Sequence, residues 1–185
     1  MKSRSTLERP VLSRRALNRA LLARQLLLDR STMSPLAAVE RLAGLQAQAP
    51  LPPYYALWTR LAGFQPDALA QLLLDRRVVR IALMRSTIHL VSARDCLALR
   101  PLIQPVLDRG LRGAHHRDLA GLDEAAVADA ARAYTEAAPH TAAELGALLG
   151  ERWPGVGADT LAAVARTRLA LVQVPPRGVW GASGP

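Results

Sequence analysis

The segment most informative about the fold is VVRIALMRSTIHLV, residues 78–91. Its two halves are rich in β-branched and aliphatic residues, and the polar turn Met84-Arg85-Ser86 separates them. Apolar runs of this length around a short polar break are typical of two strands joined as a hairpin. The sequence therefore predicts a β-hairpin at this point of the chain.

Helices are predicted before the hairpin, because each apolar stretch there follows a helix-start signal. The signals are Ser13, Ser34-Pro35, Pro52-Pro53 and Pro66-Asp67. The first helix is expected over 14–28, with an apolar face formed by Leu17, Ala20, Leu21 and Leu28. Helices closed by a small hairpin describe a winged helix. The predicted fold class is mainly α with small β-hairpins, an α+β fold of tandem winged-helix domains.

The second half of the chain repeats this order of elements. Three helices are predicted after Asp123, one of them beginning with the capping box of Thr141 and Glu144, and a strand is predicted over 171–174. The predicted domains are a flexible basic N-terminus over 1–10, a first winged-helix domain over 11–98, a connecting helix and polar linker over 99–122, and a second winged-helix domain, cut short, over 123–185.

The net charge of +9 is concentrated in the first half of the chain. Residues 1–100 contain 16 Lys and Arg against 6 Asp and Glu, whereas residues 101–185 contain 8 against 9. A basic module suggests a polyanionic partner, most commonly nucleic acid. Codon bias in a GC-rich genome is the alternative, since Lys2 is the only lysine. That alternative does not explain why acidic residues are scarce only before residue 100.

Composition argues against several other classes of protein. No stretch approaches the roughly 18 uninterrupted apolar residues that would span a bilayer, and a membrane-surface role for the basic first helix is only a weak alternative. Cys96 is the only cysteine, so an intrachain disulfide is excluded and a cytoplasmic location is predicted. His115, His116 and Asp118 are expected in a solvated linker. Neither a metal nor another cofactor is predicted.

One segment has the spacing of a functional site. Gln46-Ala47-Gln48, the glutamine motif, follows the glycine that ends a predicted helix, and four of the seven aromatic residues come soon after it. In an extended segment both amides point the same way. From spacing alone, a structural reading is favoured, in which the glutamines cap the preceding helix and Trp58 and Phe64 anchor a core.

Several ordered motifs resemble the AlkZ family of bacterial DNA glycosylases. They are Leu45-Gln46-Ala47-Gln48, Tyr55-Ala56-Leu57-Trp58-Thr59-Arg60-Leu61, Val79-Arg80-Ile81, Met84-Arg85-Ser86-Thr87-Ile88-His89-Leu90-Val91 and Pro175-Pro176-Arg177-Gly178-Val179-Trp180-Gly181. The resemblance implies tandem winged helices and an active site at Gln46 and Gln48. The related YcaQ-like branch has an acidic or amide residue in place of the second glutamine. Because this chain has Gln48 at that position, the resemblance places it nearer AlkZ. Ser86 stands where the family usually has glycine.

The resemblance also implies an activity. Type members remove bulky alkylated purines and unhook interstrand crosslinks, so the expectation is a monofunctional glycosylase acting on double-stranded DNA with N7-alkylated purines. A glutamine amide is a poor base, but two amides can hold a water against the anomeric carbon of a cationic, already labile purine nucleotide. The alternative is a non-catalytic winged-helix DNA-binding protein or transcriptional regulator, in which the glutamines are structural.

DNA contacts are expected from basic and polar residues of the first half. The candidates are Arg14, Arg15, Arg19, Arg80, Arg85, Thr87 and His89. Each arginine can equally be a solvated surface charge, and a histidine satisfied within the sheet is slightly favoured for His89. Family members are longer and carry a third winged helix, so a fragment or a truncated gene product is expected. A monomer associated with the nucleoid is the expected state.

Overall fold

The computed structural model describes residues 11–182. In this range the chain is mostly helical with one small antiparallel sheet, which confirms the predicted α+β class. The predicted basic N-terminus over 1–10 lies outside the described residues. The helices are α1 (Arg14–Arg24), α2 (Pro35–Arg41), α3 (Pro52–Arg60), α4 (Pro66–Leu74), α5 (Ala93–His115), α6 (Glu124–Ala137), α7 (Ala142–Arg152) and α8 (Ala158–Arg168), and the strands are β1 (Leu45–Gln46), β2 (Val78–Ala82) and β3 (Ile88–Ser92).

The first module has the element order of a winged helix, α2-β1-α3-α4-β2-β3. The predicted hairpin is confirmed, with Val79 opposite Val91, and β3 lies between β2 and β1 in the sheet. Leu45 and Leu90 are opposite each other across β1 and β3, and both pack into a core with side chains of α2, α3 and α4. The sheet is therefore covered on this face by the helices that precede the hairpin.

Local signals explain where α2 begins and ends. The Ser34 hydroxyl accepts a hydrogen bond from Ala37 N at 3.2 Å, and Pro35 occupies the first helical turn. The chain then turns through Gly44, whose φ is +104°. A Cβ there would lie 2.6 Å from Val91 Cγ1, so only glycine fits between α2 and the sheet.

Helix α5 covers the second face of the hairpin and joins the two halves of the chain. Ile81, Val91 and Cys96 form a small core between α5 and the sheet. The buried Arg100 of α5 donates to Thr167 O at 2.6 Å, which ties α5 to the end of α8. The helix continues past Pro101 and Pro105 to His115, so most of the segment predicted over 99–122 as a connecting helix and polar linker is helical.

Helices α6, α7 and α8 pack around a separate core that includes Val127, Leu149 and Leu161. The predicted capping box is present: Thr141 Oγ1 accepts from Glu144 N at 3.2 Å, and Glu144 Oε2 accepts from Thr141 N at 2.7 Å. These hydrogen bonds hold the pKa of the Glu144 carboxyl below its ordinary value. Helix α7 therefore begins where the capping box predicted.

The strand predicted over 171–174 is not formed. Only Gln173 pairs, as an isolated antiparallel bridge in which Gln173 N donates to Arg80 O of β2 at 2.9 Å. Pro175 and Pro176 follow at once and have no N–H to extend a ladder. The tail segment (residues 171–182) instead packs on the first module, where Val179 joins the core and Trp180 lies 5.1 Å from the Tyr54 ring.

Helix α1 ends four residues earlier than predicted, at Arg24. Leu26 has φ +56°, Leu26 N donates to Ala23 O, and Leu27 N donates to Leu22 O, which together form a Schellman ending without glycine. No residue of α1 is buried, so its predicted apolar face is not packed within the described range. None of the described helices is long and apolar enough to cross a membrane.

The contact between α7 and α8 gives a test of this packing. A Cβ on Gly146 would lie 2.5 Å from Ala158 O, whereas a Cβ on Gly150 of the same helix meets nothing within 4 Å. Gly146→Ala should lower the free energy of unfolding in urea titration, because the backbone of α8 must move. Gly150→Ala should raise it by up to about 1 kcal/mol through helix propensity alone. Equal effects of the two variants would contradict the close α7–α8 packing.

Candidate functional site

The glutamine motif lies at the exposed edge of the sheet. Leu45 and Ala47 are buried, whereas Gln46 and Gln48 are exposed, as expected for alternating residues of extended chain. Both amides therefore project from the same face, which is the geometry predicted from their spacing. Their catalytic role stays a prediction at this point.

Gln48 is held in place by the backbone of β3. Ala47 N donates to Ile88 O at 2.8 Å, and in a regular ladder Ile88 N would return a bond to Ala47 O. Ile88 N donates instead to the Gln48 side-chain oxygen at 3.0 Å. The Gln48 carbonyl therefore has a fixed position, and its oxygen keeps capacity to accept one further hydrogen bond.

The glutamines do not cap the preceding helix. Backbone bonds from Ala43 N to Glu40 O and from Gly44 N to Val39 O close α2. Within residues 11–182, no side-chain hydrogen bond joins either glutamine to this helix, and the Gln46 amide has no hydrogen-bond partner at all. Phe64 is buried as the structural reading expected, but Trp58 is exposed and stacks under Arg30 instead.

His89 is the cross-strand neighbour of Gln46. Since Ala47 and Ile88 form the hydrogen-bonded position, Gln46 and His89 occupy a non-hydrogen-bonded pair, in which side chains on one face approach closest. His89 is buried, and its Nδ1 lies 2.9 Å from Thr87 O. A carbonyl only accepts, so the Nδ1–H of His89 donates this hydrogen bond. This burial fits a sheet histidine rather than a direct DNA contact.

Arg80 lies in the core, so the predicted phosphate contact at this residue is wrong. Its side chain is 1% exposed, Nη2 donates to Ala47 O at 2.8 Å, and Nε donates to Gln173 Oε1 at 3.0 Å. Burial holds the pKa of the guanidinium below its ordinary value, and nearby Arg177 adds to this effect. An arginine in a strand looks like a surface charge from sequence, and only long-range packing reveals the difference.

The other predicted DNA contacts are at the surface or at the hairpin tip. Arg14, Arg15, Arg19 and Arg85 are exposed. At the tip, Arg85 and Ser86 both have left-handed backbone, with φ +55° and +59°, a conformation costly for residues other than glycine. Thr87 is half-buried and its hydroxyl donates to Met84 O at 3.1 Å, so it fixes the turn that presents Arg85.

A groove lies between the hairpin tip and helices α5 and α8, and the sequence did not predict it. Its volume is about 180 Å³, and its polar lining includes Ser86, His115 and Arg166. His115 Nδ1 lies 2.9 Å from the buried Thr160 hydroxyl, which donates to Asp118 Oδ2 at 2.8 Å. His115 therefore ends α5 and is partly buried instead of lying in the predicted linker, whereas His116 and Asp118 are exposed as expected. Local spacing gave no signal, because Thr160 is more than 40 residues away.

Helix α4 occupies the position of the DNA-reading helix of a winged helix. Its exposed residues are Asp67, Ala68, Gln71 and Leu74, so this surface contains no cation. This helix face therefore offers no cationic contact to a phosphate backbone. Among the described residues, no group of three or more His, Cys, Asp or Glu is arranged to hold a metal ion.

The chain matches known proteins in both sequence and fold. A family model described as DNA glycosylase AlkZ-like matches residues 39–185. The solved structure of Streptomyces sahachiroi DNA glycosylase AlkZ superimposes with a TM-score of 0.69 at 21% sequence identity, over 85% of this chain and 45% of that one. The present chain thus spans less than half the length of that protein. No curated protein matches.

Hydrogen exchange can test the anchoring of Gln48. In Gln48→Ala the Ile88 N–H loses its acceptor, because Ala47 O is directed at Arg80. Exchange of the Ile88 amide, followed by NMR in D₂O, should therefore accelerate strongly. Gln46→Ala is the matched control and should leave Ile88 protected. Unchanged protection in Gln48→Ala would contradict the described geometry.

Proposed function

Because the chain belongs to the AlkZ-like family of DNA glycosylases, we propose that it hydrolyses the N-glycosidic bond of N7-alkylated purines in double-stranded DNA. Purines tied into an interstrand crosslink are included in this substrate class. The observation that carries the proposal is the exposure of Gln46 and Gln48 on one face of an edge strand, with Ala47 buried between them. Two amides in this arrangement can hold one water between them.

In the proposed reaction the amides position the water without removing its proton. The water donates one hydrogen bond to the Gln46 carbonyl and one to the remaining lone pair of the Gln48 carbonyl. A lone pair of the water oxygen is then directed at the anomeric carbon. Because Gln48 is held by Ile88 N, the position of the water is set before substrate binds. Such orientation contributes substantially to rate even without a base.

The leaving group supplies the remaining driving force. A purine alkylated at N7 is cationic, and when the C1′–N9 bond breaks its electron pair neutralises the purine. The sugar becomes oxocarbenium-like, the water oxygen forms the new C1′–O bond, and its proton passes to solvent. An unmodified purine would leave as an anion and is therefore released far more slowly. Selectivity for alkylated bases follows from the absence of a strong acid or base in the motif.

DNA is proposed to lie along the hairpin tip and the groove beside it. Arg85 projects from the tip, and Arg166 lines the groove without an acidic partner in the described part of the chain. By contrast, Arg168 nearby is neutralised by Asp108 and Glu124. The exposed Arg14, Arg15 and Arg19 of α1 supply further positive charge. We propose a monomer that works on DNA in the cytoplasm, without a cofactor.

A non-catalytic winged-helix regulator is the second candidate. Such a protein would read bases with the helix at the position of α4. The exposed side of α4 carries Asp67 and no arginine or lysine, so this surface does not favour major-groove reading. The regulator hypothesis is accordingly less well supported than the glycosylase hypothesis.

Base release is the direct test of the activity. The protein should liberate free N7-methylguanine from a methylated duplex, detected by chromatography. Gln46→Ala combined with Gln48→Ala should lower the single-turnover rate by about 10²-fold or more, because the water loses both acceptors. Thermal unfolding should remain cooperative in the double variant. Undiminished release by that variant would contradict the mechanism, and salt-sensitive binding without any release by wild type would favour the regulator.

The proposed DNA path can be tested by the salt dependence of binding. Arg85→Gln and Arg166→Gln should each reduce the slope of log affinity against log salt concentration by about 1, through loss of one phosphate contact. Arg132→Gln, which removes an exposed arginine from α6, is the matched control and should not change the slope. If all three variants reduce the slope equally, the contacts are non-specific and the proposed path is wrong.

A further inference from the structure

We propose that Arg80 is a positioning residue for the glutamine motif and that the tail segment holds Arg80 in place. The inference rests on the proposed function, since it names what sets the geometry of that site. Arg80 is the largest fully buried side chain in the described part of the protein. It lies between the residue that separates the two glutamines and a segment more than 90 residues further along the chain.

Arg80 determines the hydrogen-bond acceptor of Ile88 N. In a regular antiparallel ladder Ile88 N would pair with Ala47 O. Arg80 Nη2 instead donates to Ala47 O at 2.8 Å, and Ile88 N donates to the Gln48 side-chain oxygen. Without the guanidinium, Ala47 O would return to the ladder and Gln48 would lose its anchor. Arg80 therefore sets the orientation of Gln48 by drawing Ala47 O out of the ladder.

The tail segment is shaped around the guanidinium. Gln173 Oε1 accepts from Arg80 Nε at 3.0 Å, and Gln173 N donates to Arg80 O at 2.9 Å. Gly178 covers the other side: a Cβ there would lie 2.8 Å from Nη1 and 2.9 Å from Cδ of Arg80. Gly178 O in turn accepts the Tyr54 hydroxyl at 2.7 Å. Arg80 is thus enclosed between β2 and the tail.

Filling this buried space with the Arg80 cation costs free energy of folding. No carboxylate pairs with Arg80 in the described range, and its buried Nη1 has no hydrogen-bond partner there. A buried charge without a counter-ion is destabilising, and an apolar side chain of similar volume commonly serves stability better. Stability alone therefore does not account for Arg80, whereas control of Ala47 O does.

Two variants separate positioning from folding. Arg80→Met keeps the buried volume and removes the donors, so we expect unfolding temperature at or above wild type, unchanged DNA affinity and a single-turnover rate about 10²-fold lower. Gly178→Ala should also lower the rate by displacing Arg80. Gly181→Ala is its matched control, because Gly181 has a similar positive φ of +72° but nothing within 4 Å of its Cβ position.

A readout independent of activity keeps the two hypotheses distinguishable. Gln48→Ala exposes the Ile88 amide to exchange, and adding Arg80→Met should protect it again, because Ala47 O becomes available. If wild type releases no base but this reprotection occurs, the proposed function fails and the positioning role stands. The positioning role is overturned if the Ile88 amide stays unprotected in the double variant. A wild-type rate in Arg80→Met, or equal losses in Gly178→Ala and Gly181→Ala, would overturn it as well.

Discussion

The hydrogen bond from the Arg80 guanidinium to Ala47 O is the interaction on which the candidate site depends. It joins the middle of the hairpin to the residue between the two glutamines, and it does so from inside the core. Because Ala47 O is directed at Arg80, Ile88 N donates to the Gln48 side chain instead. The tail segment completes this arrangement from the far end of the described chain. A local motif thus acquires its geometry from a contact between distant segments.

The chemistry proposed for this site is one of position rather than of acid and base. Gln46 and Gln48 are neutral at any pH at which the protein is folded, so in the proposed mechanism the site selects substrates by how readily the base departs. An exposed edge strand suits this task, since a bulky adduct need not be enclosed. Positive charge at the hairpin tip and in the groove beside α5 and α8 is proposed to bring the duplex to the glutamines. The outer face of α4 carries Asp67 and no cation, so it offers no phosphate contact at the usual position of the reading helix.

Local patterns predicted the parts of the fold that depend on neighbouring residues. Ser34-Pro35, the Thr141 capping box and the hairpin around Arg85 all have signals within a few positions, and the structure has each of them. The even spacing of Gln46 and Gln48 likewise predicted their common face. The sequence did not predict contacts between distant segments, such as the pairing of Gln173 with Arg80 and the hydrogen bonds by which Thr160 joins His115 to Asp118. The predicted α1 also continued to Leu28, because no glycine marks the left-handed Leu26 just past the end of the helix.

The dependence of the single-turnover rate on pH tests the central claim most directly. If the amides only position water, release of N7-methylguanine should proceed at a constant rate from about pH 6 to about pH 8.5, because neither glutamine amide titrates in that range. The measurement requires saturating protein, so that DNA binding does not enter. A rate that rises through a single titration in this interval would show that a base removes the proton, and would contradict the account.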